Sequence, residues 1–340
     1  MIGSFYGSRI GIDMGTANTL VHIDGQGVAV KEPSLVTVRA GTGEIEAAGR
    51  AAEAGAGRTP RKLRTVRPIR HGMISDLTLC EGMLNRFLRR TDTLGIFRRF
   101  RVAIAVPGEL TEVERLAIVE SVRNVGASEV LLVDQVLAAA RGAGLPIDEP
   151  RGRMVVNIGA GITDIAVISM ANTVQTRTIA VAGDDMDTAV AAYVRGKYQV
   201  LVGERTAERI KIQVGSALPV AEPLTVIVKG RCLVNGIPRE VALCEREIRE
   251  ALSVPVQHII MGIREVLEQA PPELSADLVE TGILLTGGSA LLRNLDRRIT
   301  AEFGLPASVA QDPLSSVIAG LAHQLKRLRS RDWRRFGHPS

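Results

Sequence analysis

Two glycine-bearing segments hold the residues best suited to chemistry. In the first, Ile10-Gly11-Ile12-Asp13-Met14-Gly15-Thr16-Ala17-Asn18-Thr19-Leu20, an apolar run carries one acid, ends in glycine and small polar residues, and turns apolar again through Val21 and Ile23. This pattern predicts a β-hairpin whose turn offers backbone N–H groups to phosphate. Asp13 would be costly if buried alone, because an ionised carboxylate without a partner loses its hydration. At a strand end beside a glycine turn it could instead hold a hydrated Mg2+, the other reading being a purely structural turn. The second segment, Met154 to Ile168, repeats the idea with Gly159, Ala160, Gly161, Ile162 and Thr163 at its turn. Either turn alone is weak evidence. Together they predict two hairpins holding a nucleotide tail between two halves of a protein.

Three further groups are candidates. Gly287-Gly288-Ser289 follows an apolar run, and could pack against a base or ribose or be an ordinary strand-to-helix turn. Glu204, Glu208 and Lys211 are spaced to share one helical face. That spacing admits either an exposed ion pair or contact with nucleoside hydroxyls and base edges. Gln135 opens a helix after a strand; its amide could position a water but cannot act as a strong base, and it could equally be a polar helix-start residue. Asp134 beside it is a candidate cap.

The elements that must position these residues alternate. After the hairpin at 9–23 come two short strands within 27–38 and a small exposed subdomain at 41–68, rich in Gly, Ala and Arg. Leu77, Leu84 and Leu88 suit one helical face. A buried strand at 101–106 ends in Pro107-Gly108, and Thr111 with Glu114 forms a capping box. The helix it starts should bury Leu116, Val119 and Val122. A strand at 129–133 and a helix at 136–143 follow. The second half repeats the theme: hairpin 154–168, strand 173–181, helices 184–193 and 205–214, a β-rich insert 224–243, a long helix 245–269, strand 283–285 and a helix 291–300. This is an internal duplication of a mixed α/β unit. The expected organisation is residues 1–150, with an insert at about 30–75; residues 151–325, with an insert at about 184–250; and a basic tail at 326–340.

Composition bounds the function. The 340 residues are 46% hydrophobic and 23% charged, enough for large cores, while aromatics are only 3%, so Val, Ile, Leu and Ala must fill them. Cys80, Cys232 and Cys244 lack metal spacing, and the five histidines form no HxxxH pair. They read as reduced thiols of a cytoplasmic protein. No apolar run is long enough to cross a bilayer, and no signal peptide is expected. Net charge is +5, and 326–335 alone holds six basic residues and one acid. That stretch is either a solvated terminus or a tail drawn to anionic lipid with Trp333 and Phe336 as apolar partners. No recognition helix or aromatic platform supports nucleic acid.

These residues resemble the MreB family, bacterial relatives of actin. The resemblance rests on Ile12 to Thr19, Glu32-Pro33-Ser34, Arg67-Pro68-Ile69-Arg70, Gly72 to Asp76, Gly203 to Lys211, Pro271 to Leu274, Leu285 to Leu292 and Asp312-Pro313-Leu314, and covers roughly residues 8–325. It implies an α/β, actin-like (ribonuclease H-like, duplicated) fold with four subdomains and a central cleft holding ATP and Mg2+. It also implies filaments, often paired and antiparallel, on the inner face of the cell membrane, where they organise cell-wall synthesis and cell shape with membrane-bound proteins. The protein would thus be cytoplasmic and peripheral to the membrane. By this resemblance Asp13 (through water to Mg2+), Gly15, Thr16, Ala17, Asn18 and Gly159 to Thr163 embrace the phosphates. Glu204, Glu208, Lys211 and Gly287, Gly288 and Ser289 approach the nucleoside, and Gln135 orients the attacking water.

Two departures matter. The second phosphate loop of the family usually begins with Asp and carries two threonines; here Asn157 lacks the charge and Ile162 replaces one hydroxyl. Gln135 stands where the family has Glu, although actin uses glutamine there. Losing a positioned acid–base contribution costs roughly 10²–10⁴-fold in rate, so slow ATP turnover is expected. Leu94, Ile96 and Phe97 beside Arg98 and Arg99 resemble the family's membrane-inserting loop, or else simply cover a core. Rival readings are a nucleotide-binding regulator that caps or co-assembles with an active relative, and a soluble kinase-like or chaperone-like ATPase of the same fold.

Overall fold

The computed structural model describes residues 8–57, 60–91, 100–328 and Trp333. The chain divides into two compact units, Met1–Pro146 with Ser315–Ser340, and Ile147–Leu314.

The first unit opens with the strands β1 (Arg9–Met14), β2 (Asn18–Ile23) and β3 (Gly27–Pro33). Then come β4 (Val36–Arg39), β5 (Ile45–Ala48), helix α1 (Arg50–Gly55), β6 (Leu63–Val66), and the short pair β7 (Ile69–Arg70) and β8 (Met73–Ile74). Helix α2 (Leu77–Arg89), β9 (Phe100–Val106), α3 (Glu112–Asn124), β10 (Ala127–Asp134) and α4 (Gln135–Gly142) complete the run. The main sheet has the order β10-β9-β1-β2-β3, and β5-β4-β6 forms a small separate sheet. Strands β1, β9 and β10 run parallel, so Asp13 and Asp134 both lie at carboxyl ends. Open α/β sheets bind ligands at such ends. Covered on both faces, β1 buries Ile10, Gly11 and Ile12 in succession, which is why it reads as an unbroken apolar run.

Local chemistry explains the helix starts. Asp76 caps α2 by accepting from the Leu79 amide at 3.0 Å. Thr111 and Glu114 form the expected capping box on α3. The buried face of α3 differs from expectation: it is Ile118, Ser121 and Val122, while Leu116 is 63% exposed. Ile118 and Val122 are one turn apart and face inward, which carries Leu116, two residues earlier, round to solvent.

The second unit contains β11 (Arg153–Ile158), β12 (Thr163–Ser169), β13 (Asn172–Ile179), α5 (Gly183–Tyr198), β14 (Val200–Leu201), α6 (Glu204–Val214), β15 (Thr225–Cys232) and β16 (Pro238–Cys244). The long α7 (Glu245–Gln269), α8 (Pro272–Thr281), β17 (Ile283–Thr286), a 3-10 turn at Gly288–Leu291, α9 (Leu295–Phe303) and β18 (Ala307–Val309) follow. Its main sheet has the order β13-β12-β11-β17-β18, with β11, β17 and β18 parallel. Strand for strand this repeats the first unit's sheet. The helix expected at 291–300 begins later, at Leu295, because Asn294 takes a left-handed conformation (φ 61°) after the 3-10 turn.

The chain then re-enters the first unit. Helix α10 (Ser316–Arg327) packs on α4 and the β1 face, so residues 315–325, expected in the second half, cluster with the first. Its stripe of Val317, Ile318, Leu321 and Leu325 joins Leu20, Ala103, Leu131, Val133, Ala138 and Ala139 in one core cluster. Contact between α4 and α10 is backbone to backbone: a Cβ on Gly320 would lie 1.8 Å from the Ala138 oxygen, and one on Gly142 1.7 Å from the Ser316 oxygen. Trp333 corrects another expectation. It is buried in this cluster at 2% exposure, with the Arg101 guanidinium 5.8 Å over its ring, rather than presented to lipid. Phe336 lies outside the described residues.

Candidate functional site

In the first unit, Gly15–Asn18 closes the β1–β2 hairpin through a bond from the Gly15 amide to the Asn18 oxygen at 3.0 Å. Three carbonyls of this turn are tied back into the protein. The Gly15 oxygen accepts from the Ser34 hydroxyl at 2.7 Å, the Thr16 oxygen from Arg67 Nη1 at 3.2 Å, and the Ala17 oxygen from the Ser34 amide at 2.8 Å. In a trans peptide the C=O and the following N–H point opposite ways. The amides of Thr16, Ala17 and Asn18 are therefore turned away from those anchors. Ser34 also meets Thr19 Oγ1 at 2.9 Å, and the Thr16 hydroxyl accepts from the Gly72 amide at 3.0 Å.

Asp13 sits beside this turn, opposite Leu20 and Ala105 in register. Burial pushes its carboxyl up to about 7. A divalent cation would restore the ionised form, so this carboxyl fits the expected Mg2+. No group of three or more His, Cys, Asp or Glu side chains suited to a metal exists among the described residues. The remaining ligands would have to be water and phosphate, as Mg2+ favours. Asp134 caps α4 through the Val136 and Leu137 amides at 2.9 and 3.4 Å; burial raises its carboxyl and these bonds oppose that. Gln135, half-buried, is the first residue of α4.

The second unit builds the same turn. The Gly159 amide donates to the Ile162 oxygen at 2.9 Å. The Gly159 oxygen accepts from the Gly183 amide at 3.2 Å and the Ser289 hydroxyl at 2.8 Å, and the Ala160 oxygen from the Asp184 amide at 2.7 Å. The amides of Ala160 and Gly161 turn the other way by the same geometry. Glycine is required at Gly287, where φ is +83° and a Cβ would lie 2.3 Å from the Ile158 oxygen and 2.9 Å from Asn157 Oδ1. Asn157 is buried, opposite Asp164 and Thr286.

Several expected ligands have internal partners. The Thr163 hydroxyl donates to the Val181 oxygen at 2.7 Å, and that of Ser289 serves Gly159. The Ile162 side chain is buried, so only its backbone belongs to the turn. On α6, Glu204 and Glu208 are exposed. Lys211 instead turns inward, its Nζ 2.9 Å from Asp187 Oδ1 and 3.0 Å from the Gly183 oxygen. Burial raises the Asp187 carboxyl to about 6 despite the opposing pull of Lys211. Leu94, Ile96 and Phe97 lie outside the described residues.

Sequence reasoning gave no role to Ser34, Arg67, Gly72, Gly183 or Asp187. The first three lie within motifs that carry the family resemblance, but their targets are 19, 51 and 56 residues away, beyond any local pattern.

Paired glycine turns on duplicated sheets of this topology define an actin-like fold. The MreB/Mbl protein family model matches residues 7–332. The chain is 45% identical over 320 residues to the cell shape-determining protein MreB of Escherichia coli K12, covering 93% of this chain and 92% of that one. It is 40% identical over 319 residues to the cell shape-determining protein Mbl of Bacillus subtilis, covering 94% and 96%. Among solved structures, MreB 5 of Spiroplasma citri bound to AMPPNP superposes with a TM-score of 0.89 at 36% identity, covering 92% and 94%. A double helical filament of MamK shares the fold, with a TM-score of 0.78 at 19% identity over 95% and 99%. The chain belongs to the MreB/Mbl family of actin-like, cell-shape-determining proteins.

Proposed function

We propose that this protein binds ATP with Mg2+, hydrolyses it slowly, and assembles with copies of itself into filaments on the inner face of the cell membrane. There it organises cell-wall synthesis and cell shape with membrane-bound partners. The observation that carries the nucleotide reading is the duplicated turn. In both units the turn carbonyls are anchored inward and the amides are turned out, as polyphosphate requires. One relative, MreB5 of Spiroplasma citri, was solved bound to AMPPNP and bound to ADP, in support of the same ligand here.

In this reading the amides of Thr16, Ala17 and Asn18 and those of Ala160 and Gly161 hold phosphate oxygens. Glu204 and Glu208, on the exposed face of α6, approach the nucleoside, and Asp13 holds Mg2+ through water. Bound Mg2+ would offset negative charge on the phosphates. Gln135 positions the attacking water through its amide without removing a proton. Asn157 keeps the shape of the usual acid but brings no charge, and Ile162 brings no hydroxyl; turnover is slow for that reason. Attachment to the membrane is assigned to Leu94, Ile96 and Phe97 beside Arg98 and Arg99, whose apolar and basic side chains suit an anionic lipid surface.

Calorimetry with ATP and Mg2+, phosphate release, and electron microscopy of the pure protein on anionic vesicles test this reading. Micromolar ATP affinity, weak phosphate release and membrane-bound filaments are expected. No affinity for any adenine nucleotide would end it. Asn157 also favours a second reading, a regulator that binds nucleotide and caps a more active relative. Pure protein that stays in the supernatant with ATP, but shortens filaments of a relative, would select it.

A further inference from the structure

The geometry points to Asp187 as a positioning residue: we propose that Asp187, acting through Lys211, sets the second unit's glycine turn in its phosphate-binding form. This rests on the reading that the turn binds phosphate.

Lys211 is poorly placed to be a ligand, because its ammonium already contacts Asp187 Oδ1 at 2.9 Å and the Gly183 oxygen at 3.0 Å. Both side chains are largely dry, at 12% and 8% exposure. A buried pair of this kind holds one arrangement, since either charge alone would be uncompensated. What it holds is the peptide joining Gly183 to Asp184. The carbonyl of that peptide accepts from Lys211, and its N–H donates to the Ala160 oxygen at 2.7 Å. The peptide is planar and rigid, so fixing one edge aims the other. One residue back, the Gly183 amide meets the Gly159 oxygen at 3.2 Å, which also takes the Ser289 hydroxyl at 2.8 Å. A Cβ on Gly183 would lie 2.6 Å from Ser289 Oγ, so a side chain there would push that hydroxyl off the Gly159 oxygen. The relay runs from α6, through the first turn of α5, to the two carbonyls whose anchoring turns the amides of Ala160 and Gly161 outward.

The test compares Asp187→Asn, Lys211→Met and the double replacement, the last removing both charges so that neither is stranded. Far-UV circular dichroism confirms folding. In nucleotide-free protein, amide exchange at 159–162 and 183–184 should accelerate about tenfold in each variant, the double losing no more than either single. Exchange at 15–18 should not change. Affinities for ATP, GTP and tripolyphosphate should fall by one common factor, about tenfold. Unchanged exchange at 159–162 in the double variant would overturn the relay. So would loss of ATP affinity with tripolyphosphate affinity intact, which would make Lys211 a reader of the base. Wild-type protein that binds none of the three ligands removes the nucleotide reading instead, and the exchange result still decides the relay.

Discussion

Alanine at Gly320 should destabilise the first unit even though it improves the local helix. Within α10 the change from glycine is worth up to about 1 kcal/mol in favour of folding. Against this, the new Cβ would meet the Ala138 oxygen at 1.8 Å and its Cα at 2.8 Å. Real Cβ atoms essentially never come within 3.0 Å of another heavy atom, so α4 and α10 must part by at least the missing 1.2 Å. A gap of that size forfeits roughly half of the dispersion attraction between facing atoms. The atoms concerned belong to Ala138, Ala139, Val317, Ile318 and Leu321. Over-packing costs about 1–3 kcal/mol, and backbone obstacles belong at the top of that range. The steric effect wins, leaving a net loss of about 2 kcal/mol. In urea unfolding followed by far-UV circular dichroism, the midpoint should drop by about 1 M. Gly196, inside α5 with nothing within 4 Å of its added Cβ, is the control: alanine there should raise the midpoint. If both alanines raise it, the close crossing of α4 and α10 is not what glycine serves.

Four other outcomes follow from the geometry. Asn157→Asp should speed phosphate release, and a rate equal to wild type would clear Asn157 of blame for slow turnover. Ser34→Ala removes bonds to the Gly15 oxygen and the Thr19 hydroxyl, so stability should fall by about 1–3 kcal/mol, with weaker ATP binding seen by calorimetry. Asp13 has its carboxyl raised from 3.8 to about 7 by burial, so its ionisation opposes folding increasingly as pH rises from 4 to 7 and fully above that. Asp13→Asn should therefore be more stable than wild type at pH 8 without ligand, lose that margin near pH 4, and lose Mg2+-dependent binding. Burial pushes Glu247 up, but hydrogen bonds from Lys197, Tyr198 and the Cys244 amide outweigh it and bring the carboxyl down to about 2 from 4.5. Its stabilisation is present above pH 4.5 and lost as pH falls through 2, so the deficit of Glu247→Gln in thermal melts should shrink over that window.

The duplication was legible because each copy keeps a local signature: an apolar strand, a glycine turn and a second apolar strand. Strands β1, β2, β11 and β12 and the cap at Thr111 follow from neighbouring residues alone. What stayed hidden depends on distance. Nothing near Lys211 indicates that it turns to Asp187 rather than outward, since both directions suit the same helical spacing. Ser34 and Arg67 act on Gly15 and Thr16 through contacts made only once β3 and the segment before β7 are in place. The apolar stripe of α10, Val317, Ile318, Leu321 and Leu325, packs on a sheet that the chain left more than 180 residues earlier, so its own residues do not name its host. Trp333 beside arginines looks like an interfacial anchor until the core that covers it is seen.

That indole has a practical use. It is the chain's one tryptophan, so its emission reports on the first unit alone. A red shift in that emission on heating marks water reaching the floor beneath α10. If the emission and the far-UV signal change at different temperatures, the two units melt as separate cooperative blocks. An unlabelled sample in a single cuvette is enough to tell.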